Sequence, residues 1–149
     1  MDEKVYALIS ELESLCASSA PPVIRSPSDV FGLLISQYGS EEQEVFLVIT
    51  LDGSHHIINT HVITRGLVNR TLVHPREVFR PAIKDNSTSI IIAHNHPSGA
   101  LNPSAEDFNV TETITEAGHL LGITVLDHIL FSYSGARSIK DMPDIIGAA

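Results

Sequence analysis

A chain of 149 residues, 43% hydrophobic and 18% charged, has the size and balance of one folded domain rather than of a disordered segment. Eighteen acids against 9 bases give a net charge of −9, which argues against broad binding to a phosphate backbone, and the lone Cys16 excludes an internal disulfide or a Cys-rich zinc site. No apolar run nears the ~20 residues of a membrane helix, and the acidic start MDEKVYALISELES lacks the form of a signal peptide, so the expected setting is the cytoplasm, away from membranes.

Residues 3–17 repeat Val5, Leu8, Ile9, Leu12, Leu15 and Cys16 at three- and four-residue spacing, an amphipathic helix. Pro and Ser break that period over 18–27, which predicts a linker and divides the chain into an N-terminal helix with linker (1–25) and a main domain (26–149). Ser26 as cap and Pro27 at the first position open a second helix, with Phe31, Leu34, Ile35 and Tyr38 inward and Gly39 at its end. EVFLVITLDGSHHIINTHVITRG predicts two strands turning at Asp52-Gly53, with His55, His56 and His61 exposed. HPREVFRPAIKDN is a third helix, and Pro81 within it predicts a kink or an early end. Between Arg65 and Lys84 the bases Arg65, Arg70, Arg76, Arg80 and Lys84 are opposed only by Glu77, which reads as a solvated face or as a patch for an anionic partner.

The strand TSIIIAHN follows, then a Pro/Gly loop over 96–103 and a long helix from about Pro103 to Leu121, stopped by Gly122. ITVLDHILF and ARSIK close the chain as strands around SYSG. Alternating strands and helices predict an α/β or α+β fold, a mixed sheet flanked by helices.

The chemistry concentrates at the end of the Ile-rich strand. Side chains two apart on a strand share a side, so His94 and His96 project together while Asn95 faces away. Asp107 falls in the first turn of the next helix, where the helix dipole favours a carboxylate, and the loop is long enough to fold it back onto the imidazoles. Two nitrogens and one oxygen leave a fourth tetrahedral position open, the form of a catalytic rather than a structural zinc site. Taken alone, Asp107 also fits a capping box with Ser104.

The segment AHNHPSG…PSAED resembles the H-x-H-P…S-x-x-D signature of the JAMM (MPN+) zinc metalloprotease superfamily. Thr64-Arg65-Gly66, then Leu72-Val73-His74-Pro75-Arg76-Glu77-Val78-Phe79 and EAGHLLGITVLDH (116–128) resemble its RadC-like branch, and the similarity runs over roughly 26–140. The resemblance implies an MPN/JAB fold, with layering like that of the cytidine deaminases. It also implies a Zn2+ held by His94, His96 and Asp107, and an upstream glutamate that polarises a water. Glu44, two residues ahead of Phe46, is assigned that role, with Glu41 and Glu42 as neighbours of the same chemistry. Ser104 takes the place of the motif serine, which hydrogen-bonds the reacting oxygen. The implied reaction is hydrolysis of a peptide or isopeptide bond.

Other constellations fall away. HExxH is absent, and the P-C-x-x-C of the zinc deaminases is impossible with Cys16 alone. Glu116-x-x-His119 has di-iron spacing but occurs once, where such a site needs two copies. One of Asp127 and His128 is a candidate to support the metal from behind its ligands. Two further readings belong to other classes. One is a DNA repair or mobile-element protein, from the RadC association, although no helix-hairpin-helix signature is visible before Ser26. The other is a non-catalytic MPN scaffold, which the full ligand set disfavours.

Overall fold

The computed structural model describes residues 2–18, 22–66 and 73–140; Arg70 and Leu72 lie outside them. In chain order the elements are α1 (Glu3–Ser18), α2 (Ser28–Tyr38), β1 (Val45–Leu51), β2 (Ile57–Arg65), α3 (Pro75–Lys84), β3 (Ser89–Asn95), α4 (Ala105–Leu121), β4 (Thr124–Ser132) and β5 (Gly135–Ser138). The five strands form one mixed sheet in the order β2-β1-β3-β4-β5, parallel only between β3 and β4. This is an α+β architecture in which α4 makes the crossover that a parallel pair requires.

Central strands covered on both faces need apolar residues at consecutive positions. VFLVITL in β1 and the Ser89–Asn95 run of β3 are accordingly buried along their whole length, while the edge strand β2 is half open. One face of the sheet packs Phe46, Val48, Ile90 and Ile92 against Phe79 and Val78 of α3 and Ile114 of α4. The other packs Leu47, Ile49, Ile91 and Phe131 against Val30 and Leu34 of α2. The helix α1 keeps Val5, Leu8, Ile9 and Leu12 exposed.

Three local expectations change. The second helix starts at Ser28, not Pro27, and no side chain caps it: the Ser26 hydroxyl contacts that of Ser28, and the Asp29 carboxylate accepts from the N–H groups of Arg25 (2.8 Å) and Ser26 (3.1 Å) ahead of the helix. The first hairpin needs a longer loop than Asp52-Gly53. The Asp52 carboxylate accepts from the N–H groups of Ser54 and His56, and the left-handed position falls at His55, φ 62°. The third helix runs through Pro81 to Lys84 and then stops. A proline there removes one backbone bond, and the Pro81 carbonyl still accepts from the Asp85 N–H at 2.9 Å as the helix closes.

One irregularity decides what lies behind the site. Ile90 pairs with Val125 but Ile91 pairs with Asp127, so Leu126 is an extra residue in β4. A bulge of this kind re-aims the side chains that follow it. Val125 and Leu126 alternate in the ordinary way between the two core clusters, but Leu126 and Asp127 then line the same side, and His128 turns toward α4.

Candidate metal centre

β3 ends at Asn95, and α4 begins at Ala105 with its N-terminus beside that strand end. Between them the chain turns back at Gly99, whose φ of 87° suits a residue without a side chain; an added Cβ would also lie 3.0 Å from the Tyr133 hydroxyl. The turn carries the Ala100 carbonyl back to His96, where it accepts from Nδ1 at 2.8 Å. Because a carbonyl can only accept, this bond places the His96 hydrogen on Nδ1 and leaves Nε2 as the lone-pair atom of the neutral ring.

Ser104 caps α4. Its hydroxyl accepts from the Asp107 N–H at 3.2 Å, and the Asp107 Oδ2 accepts from the Ser104 N–H at 2.7 Å. The capping box and the turn of Asp107 toward the histidines are therefore one arrangement: the cap holds the carboxylate by Oδ2, with Oδ1 3.0 Å from His94 Nε2. His94 and Asp107 are 1% and 0% exposed, so two ionisable groups are held almost out of water. The Phe46 ring stacks on His94, with centroids 6.1 Å apart and planes 9° from parallel, and forms an apolar wall.

His94, His96 and Asp107 each offer one ligand atom, and these atoms lie within 4.8 Å of one another. His94 Nε2 is 3.0 Å from His96 Nε2, and His96 Nε2 is 3.7 Å from Asp107 Oδ2. A tetrahedral ion with bonds of about 2.0–2.1 Å needs donor–donor edges of about 3.3 Å. The spacing and the chemistry of these donors fit a zinc-sized cation.

Glu44 sits half-buried just before β1. Glu44 lies two residues before Phe46, which pairs with His94 at the last position of the antiparallel β1–β3 ladder. The backbone on either side of Glu44 is pinned by Asn95, the residue between the two histidines. The Asn95 Oδ1 accepts from the Val45 N–H at 2.6 Å, and its Nδ2 donates to the Gln43 carbonyl at 3.0 Å. The Glu44 carbonyl accepts from the Gly66 N–H at 2.7 Å. Of the neighbouring acids, Glu41 pairs with Arg65 at 2.5 Å and Glu42 is exposed.

Asp127 and His128 separate. Asp127 faces away from the cluster and accepts from the Ser138 hydroxyl at 2.6 Å, whereas His128 Nε2 meets His94 Nδ1 at 2.8 Å. Behind His128 lies Thr111, a residue that motif reading passed over. The available signal was spacing: Thr111 stands four residues after Asp107, one helical turn on the same face.

The rest of the sequence candidates lie elsewhere. His55 is exposed, but His61 is half-buried and bonds Asp85 at 2.6 Å, which corrects its expected exposure. Arg76, Arg80 and Lys84 line a groove of about 680 Å³ between α3 and α4 that also exposes Ile83. Among the described residues no helix is long and apolar enough to cross a membrane.

A family model described as RadC-like JAB domain matches residues 24–143. A UPF0758 protein of Rubrobacter xylanophilus is 42% identical over 145 residues, covering 94% of this chain and 63% of that protein. One of Alkaliphilus oremlandii is 46% identical over 118 residues, 79% of this chain and 51% of that protein, and one of Methanosarcina mazei is 43% identical over 137 residues, 92% and 59%. The chain thus spans between half and two thirds of the length of these relatives.

Proposed function

The chain belongs to the RadC-like JAB domain family, and from that premise we propose that it is a zinc-dependent metallohydrolase cleaving peptide or isopeptide bonds. The observation that carries the reading is the convergence of His94 Nε2, His96 Nε2 and an Asp107 carboxylate oxygen on one centre beside the apolar face of Phe46. Two imidazoles and one carboxylate are the donor set of open zinc sites rather than of closed ones.

When bound, the ion supplies Lewis acidity and brings the pKa of a water to about 7. The chain's own groups do the rest. Glu44, two residues before the strand position that pairs with His94, takes a proton from the attacking water and returns it to the departing amine. The Ser104 hydroxyl, whose lone pair caps α4, directs its hydrogen to the carbonyl oxygen as charge gathers there. Asn95 holds the backbone around Glu44 so that the carboxylate need not be ordered during the reaction.

The test is turnover of a panel of peptide and isopeptide substrates by protein with zinc confirmed bound. Glu44→Gln is expected to keep the metal and abolish hydrolysis. A zinc-loaded protein that cleaves no amide in the panel would sink the hydrolase reading and leave the scaffold reading standing. A salt-sensitive gel shift with single- or double-stranded DNA near physiological salt would favour the DNA-processing reading.

A further inference from the structure

We propose that Thr111 and His128 form a positioning relay that selects the tautomer of His94 whose Nε2 lone pair faces the metal cluster. The proposal rests on the metal reading above only for its consequence; the relay itself is a property of the chain.

The run of hydrogen bonds starts at a group that cannot donate. The Asp107 carbonyl lies 2.7 Å from the Thr111 hydroxyl, and a carbonyl has no hydrogen, so the hydroxyl hydrogen points at it. That hydrogen is then spent. The 2.6 Å contact between the Thr111 hydroxyl and His128 Nδ1 must be donated by the ring, which places the His128 hydrogen on Nδ1. His128 Nε2 is left as an acceptor, and its 2.8 Å contact with His94 Nδ1 is donated by His94. With its hydrogen on Nδ1, the neutral His94 ring turns a bare Nε2 toward His96 Nε2 and Asp107 Oδ1, each 3.0 Å away.

The relay closes on itself. It begins at the backbone carbonyl of Asp107 and ends at the imidazole facing the carboxylate of Asp107. Thr111 and His128 are buried, so water does not compete for these bonds. Neither residue belongs to the cluster; both act through His94 and are positioning residues. Residues that orient a ligand from behind are commonly worth roughly 10–100-fold in metal affinity.

The test uses the whole chain, metal-free and then titrated with zinc. At about pH 8, above the ordinary imidazole range, nitrogen-15 imidazole spectra should show both His94 and His128 protonated at Nδ1. Thr111→Val keeps the shape and removes the hydroxyl, so His128 should give mixed tautomers, and zinc affinity measured against a chelator should fall roughly 10–100-fold. Thr111→Ser should restore both readouts, which a purely packing role would not require. The proposal is overturned if wild-type His94 carries its hydrogen on Nε2, or if Thr111→Val changes neither spectra nor affinity. The wild-type spectrum decides the matter even if a variant fails to fold. A wild-type chain with the expected tautomers that takes up no zinc keeps the relay and sinks the metal reading. Normal zinc uptake with a silent Thr111→Val does the reverse.

Discussion

Among the described residues, two of the places where histidine meets aspartate at short range are built in opposite senses. At the outer edge of the sheet, His61 Nε2 lies 2.6 Å from Asp85 Oδ2, and the Thr50 hydroxyl donates to the same oxygen at 2.7 Å. Hydrogens point inward there and fill the carboxylate, so the cluster is complete as a hydrogen-bonded pair. At the end of β3 the hydrogens point outward: His96 Nδ1 is directed to the Ala100 carbonyl and His94 Nδ1 to His128. The inner atoms are lone-pair donors, crowded to 3.0 Å between the two Nε2 atoms. Residue type does not separate a structural pair from a cation site. The direction of the hydrogens does, and distant acceptors fix it.

The largest test of this contrast is metal content. His94→Ala or Asp107→Ala should take zinc from about one per chain to none by elemental analysis, whereas Asp85→Ala should leave the stoichiometry unchanged. Loss of zinc from the Asp85 variant would mean that the two clusters are not independent. Next in size is turnover with the metal kept. Asn95→Ala frees the backbone beside Glu44, so kcat should drop while zinc content holds. An equal loss of zinc would instead assign Asn95 to the metal loop.

A smaller effect separates the capping role of Ser104 from its proposed catalytic one. Ser104→Ala in the metal-free protein should cost about 1 kcal/mol in urea denaturation, the usual value of a helix cap; no change would mean that the cap is compensated elsewhere. The smallest effect is the pH response of the outer pair. Burial opposes ionisation of Asp85, but the bonds from His61, Thr50 and Asn59 outweigh it and hold the carboxyl below its ordinary value of 3.8. A depressed folded pKa stabilises the fold above the unfolded value and is lost as pH falls through the folded one. Asp85→Asn should therefore flatten the stability slope below about pH 4, and an unchanged slope would remove Asp85 from the acid response.

Much of this was legible in the sequence because it depends on local period and local chemistry. Seven consecutive buried positions in β1 and in β3 follow from unbroken apolar runs, and the parity of His94 and His96 follows from the two-residue repeat of a strand. Ser104, Asp107 and Gly122 mark the ends of α4, and Gly122 takes the left-handed cap that its position suggested. Where reading failed, a side chain reached beyond its own segment. Asp29 reached back out of α2 to the N–H of Arg25, leaving the helix without a side-chain cap, and His61 found Asp85 twenty-four residues away.

The sequence by itself therefore determined the strand that presents two imidazoles, the helix start that presents a carboxylate, and the loop that joins them. Only the tertiary structure decided what stands behind those ligands. The extra residue at Leu126 turns His128, rather than Asp127, toward α4, and no periodicity announces a bulge. Thr111, His128 and His94 come from three different elements. Their hydrogen-bond order exists only after the sheet has closed, because each bond takes its direction from the next acceptor in space.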